Sequence, residues 1–319
     1  GGPSMNASAI TALGADVALP MPLSLCINRE EGAPADDLTA VFAYTAVPEL
    51  SEIILTDGDE TLFCGIVDEQ EVFCSASGTV LKITARSMAA LLLDNEAQPQ
   101  CYDRPGADDI FRRHVLPLGI TRYSCDRKER PARFEILKGM SQWQALSLFC
   151  RSCLDSVPAV TPDGCVLMCG YKKEGVPLCF GGREGLPFTE GNVKIKRYQR
   201  LSRIFVKTCI DQGYDMVIED KEAKGSRIKR ERFLNAANPL SVPVSRADTI
   251  LKSGRKQSFE MVLTCPARMT AVLGKAAQAE VCGETYRNLY VSGLQYRLLP
   301  GKEATTLTLN RIEEELTCG

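Results

Sequence analysis

Short stretches in which apolar and polar residues alternate, separated by turn residues, fill the segment from Asp16 to Ala85. The alternation is strict at Leu23, Leu25 and Ile27, and a period of two places these side chains on one face of a half-buried strand. The Asp57-Gly58 pair predicts a hairpin turn, because glycine adopts the positive φ that such turns require. Five or six strands within about 70 residues predict a small barrel or sandwich.

The pattern of strand and helix signals divides the chain into three parts. We expect residues 5–97 to form a first β-rich domain, a small barrel or sandwich, which ends in a leucine-rich capping helix at Arg86–Asn95. Residues 98–190 mix both signals, which predicts an α+β middle domain. We expect residues 191–319 to form a second β-rich domain with closing C-terminal strands. The expected fold is therefore mainly β with an α+β part.

Periodicity also places the elements of the last two parts. In the middle part it predicts helices at Asp108–Val115 and Ser141–Leu154, a hairpin around Pro162-Asp163-Gly164 and a glycine- and proline-rich linker at 175–191. In the last part it predicts one helix, Arg246–Gln257. The strands predicted there are Asn192–Ile210, Asp215–Glu219, Arg227–Leu234, Phe259–Thr264, Asn288–Leu299 and Thr305–Arg311.

The composition is typical of a soluble globular protein. Of the 319 residues 45% are hydrophobic and 24% charged, and no window reaches the roughly 18 uninterrupted apolar residues of a membrane helix. The opening Gly-Gly-Pro-Ser is typical of a tag-removal scar, and the residues after Met5 lack the features of a secretory signal. We therefore expect cytoplasmic synthesis and, for the 14 cysteines, reduced thiols that pack as small hydrophobes.

Charge is distributed unevenly along the chain. The first 100 residues hold 15 Asp and Glu against 3 Lys and Arg, whereas the remainder holds 25 against 35. Such asymmetry can serve nucleic-acid or membrane binding. It equally suits a subunit whose two ends meet different protein partners, because complementary patches set orientation and reject wrong partners.

Motifs for catalysis are weak. His114 is the one histidine, it lies beside two arginines in a predicted helix, and no Gly-x-Ser-x-Gly elbow accompanies it. We therefore interpret it as a surface or helix-end residue. Phosphate-binding glycine loops are also missing from the sequence. We expect no catalytic or cofactor-binding residues and no enzyme activity.

Two binding alternatives stay open at this point. Cys150, Cys153, Cys165 and Cys169 lie within twenty residues and could complete a zinc shell, although buried thiols explain them more simply. The basic stretch Lys194–Arg232, with Tyr198 and Phe205 interleaved, could contact nucleic acid. A basic wall that faces an acidic partner, or the acidic first domain of a neighbouring subunit, explains the same stretch, and we expect neither a metal nor nucleic acid.

The order of features resembles one family. That family is the phage tail hub proteins, the late-control D-type proteins shared by contractile phages, tail-like bacteriocins and type VI secretion spikes. In that family a strand ends in the sequence Thr, small residue, Arg. A short leucine-rich helix and then an acidic residue follow. Thr84-Ala85-Arg86 and Leu91-Leu92-Leu93-Asp94 match that pattern. The closing segments Tyr290–Tyr296 and Thr305–Leu309 match its β-rich end.

The resemblance implies a structural function. It implies that residues 5–97 and 191–319 are two tube-type β-barrels of a ring subunit. It further implies that three such subunits form a homotrimer, the baseplate hub of a contractile tail, which adapts the six-fold tail tube to a three-fold spike. The implied partners are the central spike, tail tube, tape-measure and baseplate wedge proteins, with no membrane in the assembled state. The implied location is the bacterial cytoplasm during assembly and then the baseplate. The alternatives are a tail-associated cell-wall hydrolase or endopeptidase and a zinc-dependent nucleic-acid-binding module.

Overall fold

The structure is a computed structural model that describes residues 5–131, 133–207, 213–235 and 243–312. Strands account for 48% and helices for 16% of it, which confirms the predicted mainly β fold with an α+β part. The chain forms two compact units. The first comprises residues 1–175, 264–275 and 292–307, and the second comprises 176–263, 276–291 and 308–319. The three-part division 5–97, 98–190 and 191–319 stays a prediction.

The first unit contains a large antiparallel sheet and a helical part. Its strands are β1 (Met5–Thr11), β2 (Asp16–Leu19), β3 (Ser24–Glu30), β4 (Asp37–Ala43), β5 (Leu50–Asp57), β6 (Glu60–Ser75), β7 (Gly78–Ser87), β8 (Gln100–Asp103), β9 (Arg122–Ser124), β10 (Arg133–Ile136), β11 (Ala159–Val160) and β12 (Cys165–Leu167). Its helices are α1 (Ala89–Asp94), α2 (Ala107–His114) and α3 (Gln142–Cys153).

The second unit contains most of the later elements. Its strands are β13 (Leu178–Phe180), β14 (Glu190–Ile195), β15 (Arg203–Lys207), β16 (Met216–Glu219), β17 (Glu231–Asn235) and β19 (Ala276–Val281). Three further strands contribute residues to both units: β18 (Phe259–Cys265), β20 (Glu284–Leu299) and β21 (Lys302–Arg311). Its helices are α4 (Lys221–Gly225) and α5 (Pro243–Gln257).

The sheet of the first unit follows the alternation in the sequence. Its order is β18-β21-β20-β3-β4-β7-β6-β5-β1-β2, where β18, β21 and β20 continue into the second unit. Leu25 and Ile27 of β3 are buried as predicted. Leu23 lies just before β3 and is 46% exposed, so its predicted place in the alternation is wrong. The Asp57-Gly58 hairpin is confirmed, with Gly58 at φ +56° between β5 and β6.

Closed barrels are not detected in the part of the chain that the structure describes. The first unit's sheet has an open order in which β2, a strand of four residues, ends the series beside β1. Closure requires that the two end strands pair and that the strands tilt and shift register together. The two predicted barrels therefore stay a prediction, whereas the β-rich content of both units is observed.

Helices α1, α2 and α3 surround a separate apolar core in the first unit, built on Ile110, Leu146 and Phe149. Helix α3 begins at a capping box, because the Ser141 hydroxyl accepts from Gln144 N at 3.1 Å while the Gln144 side chain accepts from Ser141 N. The predicted helices at Asp108–Val115 and Ser141–Leu154 are thus confirmed to within two residues at each end.

In the second unit, β15 lies between β16 and β17, and α5 packs on them through Ala247 and Leu251. Strand β13 lies inside the predicted linker and β19 was not predicted, because the alanines of Ala276–Val281 have weak strand propensity. Residues 208–210 of the predicted strand Asn192–Ile210 lie outside the described residues. The described part of that segment contains two strands, β14 and β15, with the 3₁₀ turn Arg197–Gln199 between them. No helix among the described residues is long and apolar enough to cross a membrane.

Candidate interaction surfaces

A basic cleft of about 350 Å³ opens on the second unit. Its lining includes six cations and the carboxylate of Glu222. The cations are Arg200, Lys252, Arg255, Lys256, Arg287 and Arg311. We call this site the basic cleft. Its volume is at the lower end of the roughly 300–1,000 Å³ typical of ligand pockets.

Four separate segments position these cations. Helix α5 carries three of them at positions 252, 255 and 256, and residues three or four apart share one helix face. Arg287 lies on β20, Arg311 ends β21, and Arg200 follows the 3₁₀ turn Arg197–Gln199. The fold therefore concentrates positive charge that is dispersed over 112 residues of sequence.

Asp220 pairs with two arginines that line the basic cleft, Arg255 and Arg200. Its carboxylate is almost fully buried, accepts from Arg255 Nε at 2.6 Å and Nη2 at 2.7 Å, and caps α4 through Ala223 N at 2.9 Å. Burial alone would raise the pKa of Asp220, but the hydrogen bonds from Arg255 and Ala223 and the charges of Arg255 and Arg200 hold it below its ordinary value. Arg255 is thereby fixed in place.

Arg200 contributes donors to the same cluster. Its Nη2 lies 3.4 Å from Asp220 Oδ2 and its Nη1 donates to Glu222 Oε1 at 3.1 Å. Its Nε is buried and has no hydrogen-bond acceptor among the described residues. A buried donor without an acceptor is rare in folded proteins.

The outer cations of the cleft are held differently. Lys252 pairs with Asp248 at 2.7 Å on its own helix. The Arg311 guanidinium lies over the Phe259 ring at 5.0 Å, and Arg287 is exposed. The positive charges outnumber the neighbouring carboxylates Asp220, Glu222 and Asp248, so the cleft suits an oxyanion such as a carboxylate or phosphate.

The β6–β7 hairpin is the most exposed part of the first unit. Every residue from Glu71 to Gly78 is exposed, with Phe73 at 56%. Glu69, Glu71 and Phe73 alternate along β6 and therefore project from one face. Two cations of β7 pair with carboxylates of β6: Lys82 lies 3.6 Å from Glu71 and Arg86 lies 2.8 Å from Asp68. We call residues 68–79 the acidic hairpin.

A second cavity, of about 310 Å³, lies on the first unit and is lined by Asp59, Glu60, Asp163 and Arg29. Arg29 is 2% exposed and donates to Asp36 Oδ2 at 2.6 Å, to Thr270 O at 2.8 Å and to Leu62 O at 2.9 Å. Its three nitrogens thus bind groups of the protein itself, and the arrangement is structural.

His114 is buried, which corrects the prediction of a surface residue, although it does end helix α2. Its Nε2 lies 2.6 Å from Tyr102 Oη and its Nδ1 2.7 Å from Gln142 Oε1. Burial lowers its pKa, and the nearby Arg113 adds to this effect. The sequence could not show this burial because Tyr102 and Gln142 come from other elements.

The four cysteines proposed as zinc ligands do not gather as a shell. Cys150 is buried in the helical core, where burial raises its pKa. Cys169 has its sulfur 3.9 Å from that of Cys125, a residue that was not proposed. Over residues 5–131, 133–207, 213–235 and 243–312, no group of three or more His, Cys, Asp or Glu side chains is arranged to hold a metal ion.

The basic stretch Lys194–Arg232 is largely engaged within the unit. Lys196 Nζ lies 2.6 Å from Glu260 Oε2, and Arg203 pairs with Glu231. The Phe205 ring stacks on Phe233 with centroids 4.9 Å apart, whereas Tyr198 is 61% exposed. Of the two aromatic residues proposed for base stacking, only Tyr198 is largely exposed. Arg200 is the cation of this stretch that lines the basic cleft.

The two units carry opposite charge. The first holds 25 acidic and 19 basic residues, and the second holds 15 acidic and 19 basic residues. The excess of acidic residues in the first 100 positions therefore belongs to the first unit, which is acidic as a whole. The acidic hairpin and the basic cleft are on units of opposite sign.

The fold is shared with phage tail proteins of known structure. A tail protein from Neisseria meningitidis MC58 matches with a TM-score of 0.77 and 18% identity, over 96% of each chain. The 43 kDa tail protein of prophage MuSo2 from Shewanella oneidensis matches with a TM-score of 0.74 and 14% identity, over 96% of this chain and 97% of the other. These matches confirm, for the fold, the resemblance seen in the sequence.

A more distant likeness extends to secretion machinery. The E. coli c3393 protein, a type VI secretion component with structural similarity to two tail proteins of bacteriophage T4, matches with a TM-score of 0.52 and 9% identity, over 92% of this chain and 74% of the other. No protein-family model matches the sequence, and no curated protein matches it.

Proposed function

Because the chain has the fold of phage tail proteins, we propose that it is a structural baseplate hub of a contractile phage tail or tail-like particle. The observation that carries this proposal is the agreement over 96% of both chains with the Neisseria tail protein. A match over 96% of both chains extends beyond one module that many functions share. The coarser role, a structural component of a tail or baseplate, has the same support.

The hub is a homotrimer that adapts the six-fold tail tube above it to a three-fold spike below. The likeness to a type VI secretion component supports a central spike protein as a partner. Tail tube, tape-measure and wedge proteins are the other proposed partners. A closed ring gives exposed strand edges, such as that of the β6–β7 hairpin, a defined neighbour. The proposed locations are the bacterial cytoplasm during assembly and the baseplate afterwards.

A structural role agrees with the chemistry of the basic cleft and of His114. The basic cleft is lined by arginine and lysine with Glu222, and arginine and lysine side chains stay protonated near neutral pH. They bind anions well and exchange protons poorly. His114 is buried between Tyr102 and Gln142. These features favour a binding protein over a hydrolase.

The test is the assembly state with and without partners. The purified chain, of 34.9 kDa, is mixed with candidate spike and tail tube proteins, and the mass is measured by light scattering after size exclusion. We expect a complex that contains three copies of this chain. A chain that stays monomeric with both partners contradicts the hub, and clearing of cell walls in a zymogram supports the hydrolase.

A further inference from the structure

We propose that the basic cleft binds the acidic hairpin of a second copy of this chain. The inference rests on the proposed function, since it supplies the contact between neighbouring copies in a ring. A ring built by one repeated contact requires two different surfaces that complement each other on every copy. The basic cleft and the acidic hairpin are such a pair.

Charge is the first argument. The hairpin lies on the unit with 25 acidic and 19 basic residues, and the cleft on the unit with 15 and 19. Within the hairpin, Asp68 pairs with Arg86 at 2.8 Å and Glu71 lies 3.6 Å from Lys82, but Glu69 and Glu71 are both exposed and lie on the same face of β6. Opposite potentials steer association and fix the register of a contact.

The donors of the cleft are the second argument. Arg287 is an exposed guanidinium on the cleft wall, and the six cations of the cleft outnumber the neighbouring carboxylates Asp220, Glu222 and Asp248. The carboxylates of Glu69 and Glu71 from the hairpin of a second copy supply hydrogen-bond acceptors to the basic cleft, where donors are in excess. Guanidinium and carboxylate groups form short, paired hydrogen bonds.

The shape of the hairpin is the third argument. Glu69, Glu71 and Phe73 occupy every second position of β6, so two carboxylates and one aromatic ring reach the partner together. Phe73 is 56% exposed, and Ile312 gives the cleft an apolar wall. Regularly spaced acidic side chains on a folded hairpin favour a peptide occupant. Nucleic acid is less favoured, because the whole chain has a net charge of −2.

The first experiment uses the full chain and a labelled peptide of residues 66–86 with Cys74→Ser, which contains both paired strands of the hairpin; circular dichroism of the peptide shows that these strands pair. We expect saturable binding by fluorescence anisotropy, and no binding of the same peptide with Glu69→Gln and Glu71→Gln. Arg287→Glu should weaken binding roughly tenfold, a change typical of one close charge pair at an interface. Lys229→Glu is the matched control, because Lys229 is an exposed cation of the same unit outside the cleft.

Three results of this experiment overturn the inference. The first is that the acidic peptide does not bind. The second is that Lys229→Glu weakens binding as much as Arg287→Glu does. The third is that a 15-nucleotide single strand binds in place of the peptide, which assigns the cleft to nucleic acid. Circular dichroism of each variant shows that the fold is intact.

The second experiment separates the contact from the hub itself. Full chains with Glu69→Lys and Glu71→Lys, full chains with Arg287→Glu, and full chains that carry all three changes are studied. We expect the first two to associate poorly and the third to recover, since the charges match again at every contact of the ring. A trimer that neither set of changes affects contradicts the contact and leaves the hub standing. Peptide binding without any self-association contradicts the trimer and leaves the contact standing.

Discussion

His114 is the one histidine of the chain, and its imidazole is almost completely buried between Tyr102 and Gln142. Burial lowers its pKa in the folded state, whereas in the unfolded chain the value is about 6.5. The unfolded state therefore binds more protons between the two values, so stability rises with pH there. The contribution is complete above the unfolded pKa and is lost as the pH falls toward the folded one.

We predict that the single imidazole titrates below about 6.5 in NMR spectra of the folded chain. As the pH falls below about 6.5, the free energy of unfolding should decrease by up to about 1.4 kcal/mol per pH unit because of this group. His114→Gln keeps a polar side chain and removes the titration, so its pH dependence should be flatter. An imidazole that titrates above that value, or equal slopes for both chains, contradicts the prediction.

Strands β6 and β7 illustrate how an element depends on backbone approach. A Cβ atom at Gly65 would lie 2.1 Å from the carbonyl oxygen of Arg86, within the strand pair that continues into the acidic hairpin. The contact is between backbones, so a side-chain rotation cannot relieve it. A few residues further, the register shifts between Val67 and Glu69, as in the bulges that bend a strand pair.

Gly65→Ala should destabilise the fold by about 1–3 kcal/mol, the usual cost of forcing one extra group into a packed site. The measurement is the urea midpoint of unfolding. Gly32→Ala is the control, since nothing lies within 4 Å of its Cβ position, and surface changes of this kind stay within about 0.5 kcal/mol. If both variants unfold at the same urea concentration as the parent, the close approach at Gly65 is wrong.

At the scale of the whole molecule, the main feature is the opposite charge of the two units. It suits head-to-tail contact between copies, in which the acidic unit of one meets the basic unit of the next. Charge pairs at the rim of such a contact are screened by salt, because the Debye length falls from about 10 Å at 0.1 M to about 3 Å at 1 M.

Self-association should therefore weaken as sodium chloride increases from about 0.1 M to about 1 M, a range that shortens the Debye length roughly threefold. Sedimentation equilibrium measures the association constant at each salt concentration. Sodium sulfate at matched ionic strength is a useful control, since it strengthens apolar burial while it screens charge. Association that is insensitive to sodium chloride would falsify an electrostatic contact and favour an apolar one.

The amino-acid sequence by itself determined the β-rich character, the helices Asp108–Val115 and Ser141–Leu154, the Asp57-Gly58 hairpin and the resemblance to phage tail hub proteins. These follow from local rules, since a period of two or 3.6 residues and a turn residue act within one segment. Strands β13 and β19 were missed, because strands without their own alternation or β propensity are stabilised by their neighbours in a sheet.

Only the tertiary structure decided which distant residues meet. Arg29 finds Thr270 across 241 positions, His114 is buried by Tyr102 and Gln142, and the basic cleft draws on segments from Arg200 to Arg311. Neither the burial of a polar side chain nor a shared cleft leaves a local pattern in the sequence, because both depend on the path of the chain between the partners. A charge that one segment displays is paired, buried or exposed according to the elements that pack around it.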